Sequence, residues 1–388
     1  MSEMLCDLNQ TTQPIRPYKV FNNWDVVAKG WYVACKSSDL KPGKAFSKLL
    51  CGHQIALFRT ESGKASAVDA FCPHMGMDLG SGKVIGEELR CHFHHWKFDS
   101  AGKCTDIPCL KNIPEQRTSV PSYPVEEKYG FIWVYSDFTA PGPVFDIDGL
   151  KGKPILFTSL APFRRIAHPH ITMMNSIDEQ HMRTVHKLDI DIQVEITETG
   201  KRFLTRFLGK VQKNTWVGRV QNFLFGDTYR SSVLFVDGCI GLLTTMIDVK
   251  LFKRFAVPQG HFLFSQTFAE KGQTVVYPII IMERKKGIFG FALSWTLLMV
   301  HKVAMKFLAY QDGHVIYKAL RFRQDGLLAG VDGPTAKWIA FVNSKIEPSI
   351  WSRARALKAA ACEDIGAGSL AISRESTKRQ PDAPQESF

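Results

Sequence analysis

Apolar and polar residues alternate in short runs from Trp24 to about Phe138: GWYVACKSS, HQIALFRTESGKASAVDAF, KVIGEELRCHF and KYGFIWVYSD. Period-two alternation, aromatic residues and Gly-containing turns at short spacing predict a small antiparallel β domain. A Pro/Gly-punctuated stretch, APGPVFDIDGLKGKP, then reads as a linker. The second half opens on a helix-like segment around Ile171 to His186 and continues in long β-runs, DIQVEITETGKRFLTRFLG, TYRSSVLFVDGCIGLLTTMIDV and GQTVVYPIIIME. After Val300 the pattern becomes helical, and WSRARALKAAACEDIG is expected to close the fold. The chain is therefore expected to be of the α+β class. Its division would be a flexible N-terminus (1–22), a β domain (23–140), a linker (141–160), a second domain (161–363) and a polar, Pro-containing disordered tail (364–388).

Two stretches, Val275 to Met282 and Ile288 to Val300, are almost wholly apolar, and Glu283, Arg284, Lys285 and Lys286 separate them. A spanning helix needs about 20 apolar residues, and the second run has 13. It is expected to be a buried strand or a core helix, with membrane contact at most peripheral.

A length of 388 residues suits two domains, and 45% hydrophobic with 22% charged residues excludes disordered, collagen-like and coiled-coil chains. Nine cysteines, an odd number without a dense framework, argue for a reducing, cytoplasmic setting in which some thiols serve a metal. The first twenty residues lack a basic segment followed by an apolar one, so no signal peptide is expected there. Residues 201–325 hold 19 Lys and Arg against 7 Asp and Glu, an excess equal to the net charge of +12. Such a field favours an anionic partner, either an acidic protein or a membrane surface, unless it is only a solvated face. No nucleic-acid motif accompanies it.

Candidate chemistry begins at F-Cys72-P-His74-M-G-M-D-L-G-S-G and R-Cys91-H-F-His94-H-W. Each short loop offers one thiolate and one imidazole. Two sulfide-bridged irons, one held by two Cys and the other by two His, need this inventory. A structural zinc is the competing reading, but zinc sites usually begin with a Cys-x-x-Cys knuckle, which is absent. These motifs, with KCTDIP and SYPVEEKYGFIWVY after them, resemble the Rieske family. Respiratory members carry an extra Cys in each loop; here Met77 and Phe93 stand there, so the resemblance is to the oxygenase branch. His95 departs from the Gly that such oxygenases usually have before the Trp, and Cys-x-x-His spacing favours His94 over it as ligand. His92, Cys104 and Cys109 are read as structural.

Downstream lies Asn175-S-I-Asp178-E-Q-His181-M-R-T-V-His186. Two His and a carboxylate within nine residues suggest a facial triad with open positions on Fe(II). A spacing of five turns about 140° on an ideal helix, so an interruption or π-bulge is expected between the histidines. About ninety residues after a Rieske motif, this segment resembles the D-x-x-H-x-x-x-x-H motif of Rieske non-heme iron oxygenases. The resemblance implies that His181 and His186 ligate iron, that Asn175 sits close to it, and that Asp178 hydrogen-bonds toward the cluster of a neighbouring subunit. For the third ligand, Asp189 and Asp191 are too close, and Asp325 and Asp332 precede Gly in turn-like contexts. Asp312 lies in a helical segment, KFLAYQDGHVI, resembling the Q-D-x-x-I signature; Gly313 after it suggests a kink.

The resemblance spans roughly Trp24 to Val342, with ketosteroid hydroxylase oxygenase components and sterol desaturases nearest in pattern. It implies a Rieske domain followed by a helix-grip (START-like) catalytic domain, three chains in a ring, a [2Fe-2S] cluster and a mononuclear Fe(II). The implied reaction is O2-dependent hydroxylation, desaturation or demethylation of a hydrophobic multi-ring, sterol-like substrate. Electrons would come from NAD(P)H through a separate reductase or ferredoxin, in keeping with the lack of a Gly-rich dinucleotide fingerprint. The alternatives are an aromatic-ring dihydroxylating dioxygenase and an electron-transfer or sensing protein with an empty second site.

Overall fold

The computed structural model describes residues 19–114, 118–186, 190–211, 219, 222–224, 226–252, 254–315, 317, 320–327, 330 and 332–352. The expected closing segment from 353 onward and the expected tail lie outside them.

Among the described residues the first part has eleven short strands: Trp31–Lys36 (β1), Ala45–Leu50 (β2), His53–Arg59 (β3), Ala65–Asp69 (β4), Lys83–Ile85 (β5), Glu88–Arg90 (β6), Lys97–Phe98 (β7), Cys104–Asp106 (β8), Ser122–Tyr123 (β9), Val125–Lys128 (β10) and Phe131–Tyr135 (β11). They form three antiparallel sheets, ordered β1-β11-β10, β2-β3-β4-β9 and β5-β6-β7-β8. The second part supplies Ile155–Ser159 (β12), Phe163–Arg165 (β13), the helices Pro169–Met174 (α1) and Glu179–Thr184 (α2), then Ile190–Thr199 (β14), Arg202–Val211 (β15), Thr228–Val236 (β16) and Ile240–Thr245 (β17). A small pair, Lys250–Leu251 (β18) and Phe255–Ala256 (β19), precedes Gly260–Phe268 (β20), Thr274–Glu283 (β21), the long helix Gly287–Val315 (α3) and Gly333–Lys345 (α4). One antiparallel sheet runs β12-β21-β20-β17-β16-β15-β14, with β13 also on β21.

β21 explains its unbroken apolar sequence by being covered on both faces. Ile279 and Ile281 pack with Trp31, Val33 and Trp133 of the first part. Ile280 and Met282 pack with Phe262 and with Leu298 and Met305 of α3. Pro278, which has no N–H to donate, falls between the residues paired to β12 and those paired to β13. A larger core joins the two parts, bringing Tyr32, Leu57 and Ile171 together with Phe203, Phe235 and Trp338 of α4.

Three expectations are corrected. The stretch 141–160 is not a free linker: Val144, Phe145, Ile147 and Leu150 are buried and 155–159 form β12, since Pro and Gly set its turns while its apolar residues still find a core. Val20 and Phe21, expected in a flexible terminus, are buried, and their N–H groups donate to Asn343 Oδ1 at 2.9 and 3.0 Å. The run Ile288 to Val300 begins a helix, as one alternative held, but not a core helix: Ile288, Phe289, Leu293 and Val300 are exposed. By length and composition Gly287–Gly313 could cross a membrane, with 22% of its most apolar window buried.

Candidate metal centres

The two loops of the first part are built alike. Cys72 N–H donates to the Met77 carbonyl at 2.9 Å and Cys91 N–H to that of Trp96 at 2.8 Å, so each loop closes over five residues. Gly76 and His95, both four residues after their Cys, take left-handed backbone with φ of 74° and 60°. That is why this position usually holds Gly, and why His, which tolerates the conformation better than most residues, stands here at a cost. The thiols of Cys72 and Cys91 are buried while His74 and His94 sit at the exposed end, their ring centroids 4.4 Å apart. Trp96 stacks on His74 at 4.8 Å. The ring brought against His74 is thus that of His94. Burial pushes the Cys72 thiol up to about 11, against a hydrogen bond from the His74 backbone, and the adjacent Cys91 adds to the rise. Such a thiol ligates only when a cation displaces its proton. Of the residues read as structural, Cys104 is buried with Sγ 3.7 Å from the Asp106 carbonyl, whereas Cys109 and His92 are exposed.

The second centre is assembled from three elements. Asp178 breaks the helix-like stretch with extended backbone, and its Oδ1 accepts from His181 N–H at 3.1 Å, capping α2. α2 ends at Thr184, so the interruption expected between the histidines is a helix terminus, after which His186 turns back. His181 Nε2 and His186 Nε2 lie 3.1 Å apart, and Asp312 Oδ1 stands 3.2 and 3.3 Å from them. α3 runs unbroken through Asp312 and Gly313 to Val315, so the expected kink is absent. Gly313 has a different purpose: a Cβ there would fall 2.3 Å from Arg165 Nη1. Arg165 donates to the Ala309 carbonyl at 2.7 Å and lies over the rings of Phe163 and Tyr317. Burial lowers its guanidinium and raises the Tyr317 phenol, which Asp312 raises further.

Asp312 Oδ1 is buried and has no hydrogen-bond partner among the described residues although both imidazoles approach it. Two donors at right angles about 2.1 Å from one ion stand about 3.0 Å apart, close to the spacings seen. The donor set therefore fits a divalent cation, and two imidazoles with one carboxylate are what Fe(II) takes in open facial sites. Among the described residues this is the one group of three or more His, Cys, Asp or Glu whose ligand atoms fall within 4.8 Å. Among the described residues no three donors of the first centre fall within 4.8 Å of one another, a wider set that suits a two-iron cluster better than a single zinc.

A family model, the Rieske [2Fe-2S] domain, matches residues 30–124. Residues 30–124 form a Rieske [2Fe-2S] domain. Such a domain binds a [2Fe-2S] cluster, and oxygenase components of the family use a mononuclear iron besides. Among curated relatives, a cholesterol 7-desaturase of Bombyx mori is 30% identical over 176 residues, 45% of this chain and 38% of that one. The oxygenase component of a 3-ketosteroid-9-alpha-monooxygenase of Rhodococcus rhodochrous is 32% identical over 120 residues, 31% of this chain and 30% of that one. The matched part of this chain thus spans well under half of these relatives' length. In fold it matches NdmB of Pseudomonas putida CBB5 with a TM-score of 0.61 at 17% identity, over 81% of this chain and 89% of that one. That likeness is one of fold, and it agrees with the expected α+β arrangement of a β domain followed by a sheet-and-helix domain.

Two residues near the second centre escaped sequence reasoning. Gln311 Oε1 accepts from His186 Nδ1 at 3.0 Å, which fixes the tautomer that turns the Nε2 lone pair toward Asp312. It stands in the Q-D resemblance that marked Asp312, but that resemblance gave the amide no role of its own. Arg165 is brought in by a strand 147 residues upstream of Asp312, beyond any local pattern. Asn175 ends α1, and its buried Nδ2 has no partner among the described residues.

Proposed function

We propose that this chain is the oxygenase component of a Rieske non-heme iron monooxygenase system acting on a hydrophobic multi-ring substrate. One observation carries the reading: the His181, His186 and Asp312 cluster borders a largely apolar cavity of about 280 Å³ whose walls include Val233, Phe235, Leu243 and Phe264. Cys72, Cys91, His74 and His94 would hold the cluster, and the triad the mononuclear iron. When bound, the cluster supplies single electrons and the iron activates O2 toward a substrate C–H bond.

The chain's own residues do the rest. The apolar walls bury the substrate and exclude water. Gln311 orients His186, and Asp178 orients α2 so that His181 meets Asp312. Asn175 Nδ2 is a donor free to bind an oxygen atom within the cavity. The sterol-acting relatives favour a sterol-like ligand, with hydroxylation, desaturation and demethylation all open to this chemistry. Turnover under labelled O2 tests the reading: a hydroxylated product should carry one labelled atom, and two would make it a ring-dihydroxylating dioxygenase.

The electron donor in this proposal is a separate ferredoxin or NAD(P)H-dependent reductase in the cytoplasm. If the basic excess of 201–325 steers an acidic ferredoxin, turnover at limiting donor falls as salt rises; a flat profile opposes that use. In a homotrimer Asp178 would bridge His181 to the next subunit's cluster. Co-assembled Cys72→Ala and His181→Ala chains should then regain turnover, whereas persistent inactivity places transfer within one chain.

A further inference from the structure

Helix α3 has an apolar side that the other described residues leave exposed. Ser294, Leu298 and Met305 turn inward, the last two packing on Phe262, Ile280 and Met282, so the helix lies along the molecular surface. On the opposite side Phe289, Leu293, Val300, Val303 and Phe307 recur at helical spacing, 88% exposed at Phe289 and 70% at Val303. Ile288 and Trp295 flank them, 79% and 52% exposed. Together they present on the order of 1,000 Å² of apolar surface, more than the ~300–600 Å² of the largest patch on an ordinary soluble monomer.

We propose that this face docks the protein onto the surface of an anionic lipid bilayer, with α3 lying in the plane of the interface. Charge complementarity selects this occupant. From Arg284 to Gln311 the chain carries five Lys and Arg and no carboxylate. Lys286 and Lys306 are exposed, and Arg284 lies over the ring of Phe291. Exposed aromatic rings on the helix, with cations just before its start and at Lys306, suit the boundary between headgroups and acyl chains. A spanning arrangement is disfavoured because α3 would have to leave β21 and take Asp312 out of the triad. The inner side of the same helix, at Met305, Leu308 and Ala309, lines the apolar cavity, so docking sets that cavity close to the lipid. Binding to lipid stands whether or not the chain is an oxygenase.

The test is co-sedimentation of the full chain with vesicles of roughly 3:1 phosphatidylcholine and phosphatidylglycerol, beside pure phosphatidylcholine. Wild type is expected to partition onto the anionic vesicles and to be released by high salt and carbonate. Phe289→Ser with Val303→Ser should lower partitioning by about tenfold or more. Both side chains are largely exposed, and an unchanged cluster spectrum and melting midpoint would show that the fold is kept. If that pair fails to fold, Lys286→Glu with Lys306→Glu must abolish the preference for phosphatidylglycerol. Equal sedimentation with and without vesicles overturns the proposal. So does a wild type that self-associates in light scattering and is dissociated by the serine pair, since a second copy would then cover the face. Release by detergent alone would overturn the in-plane arrangement.

Discussion

Replacing Gly313 by Ala is expected to destabilise the catalytic half although it puts a better helix former inside α3. Helix propensity alone would favour Ala by up to ~1 kcal/mol. The new Cβ, however, would stand 2.3 Å from Arg165 Nη1 and 3.0 Å from its Cζ. A carbon in ordinary contact needs about 3.5 Å, so the guanidinium has to retreat by about 1 Å. It is held by the Ala309 carbonyl at 2.7 Å and by the rings of Phe163 and Tyr317. Retreat either loses a charged hydrogen bond, about 1.5–3 kcal/mol, or overpacks the site at about 1–3 kcal/mol. After a full propensity gain the net loss is about 0–2 kcal/mol, a drop of up to roughly 8 °C in melting midpoint for a domain of this size. Because Arg165 sits beside Asp312, retained mononuclear iron should fall too while the cluster spectrum stays. In an Arg165→Ala background the same substitution should become neutral or stabilising. A Gly313→Ala protein that melts above wild type with Arg165 present would refute the close-approach argument.

His95→Gly is expected to keep the cluster and raise stability by ~0.5–1 kcal/mol by relieving the left-handed backbone, whereas His94→Ala bleaches it; the opposite spectra would reassign the ligand. Gln311→Ala should weaken mononuclear iron binding by about 10–100-fold with the cluster unaffected, read by iron titration of the apo site. Burial pushes His170 down to about 3, His261 to about 4 and His168 well below its usual value. The unfolded chain takes up these protons first, near pH ~6.5, so stability is whole above that and drains as pH falls toward about 3. His170→Phe should remove a few kcal/mol of this acid sensitivity, and a wild-type midpoint unchanged from about pH 7 to 4.5 would contradict the assignment.

The Cys-x-His and Cys-x-x-His pairs were legible because a loop of five residues sets its own ligand geometry. Asp178, His181 and His186 were legible for the same reason, and the helix end between the histidines follows from their spacing. What stayed hidden is nonlocal or conformational. The requirement for left-handed backbone at His95 shows in φ and not in residue type. The need for Gly313 arises from Arg165, far away in sequence. The exposure of α3 could not be read because apolar residues all round a helix look alike whether protein or lipid covers them. Residues 141–160 read as a linker because turn formers are conspicuous, while the few apolar residues between them decide where the segment packs.

In the proposed oxygenase His181, His186 and Asp312 hold one iron beside a cluster held by other residues. Iron and acid-labile sulfide per chain, measured on wild type and Asp312→Asn, test this most directly. Wild type should give about three irons and two sulfides, and the variant about two of each with the reddish cluster spectrum intact and turnover lost. A variant that keeps its third iron, or a wild type that never exceeds about two irons after reconstitution, would contradict the account.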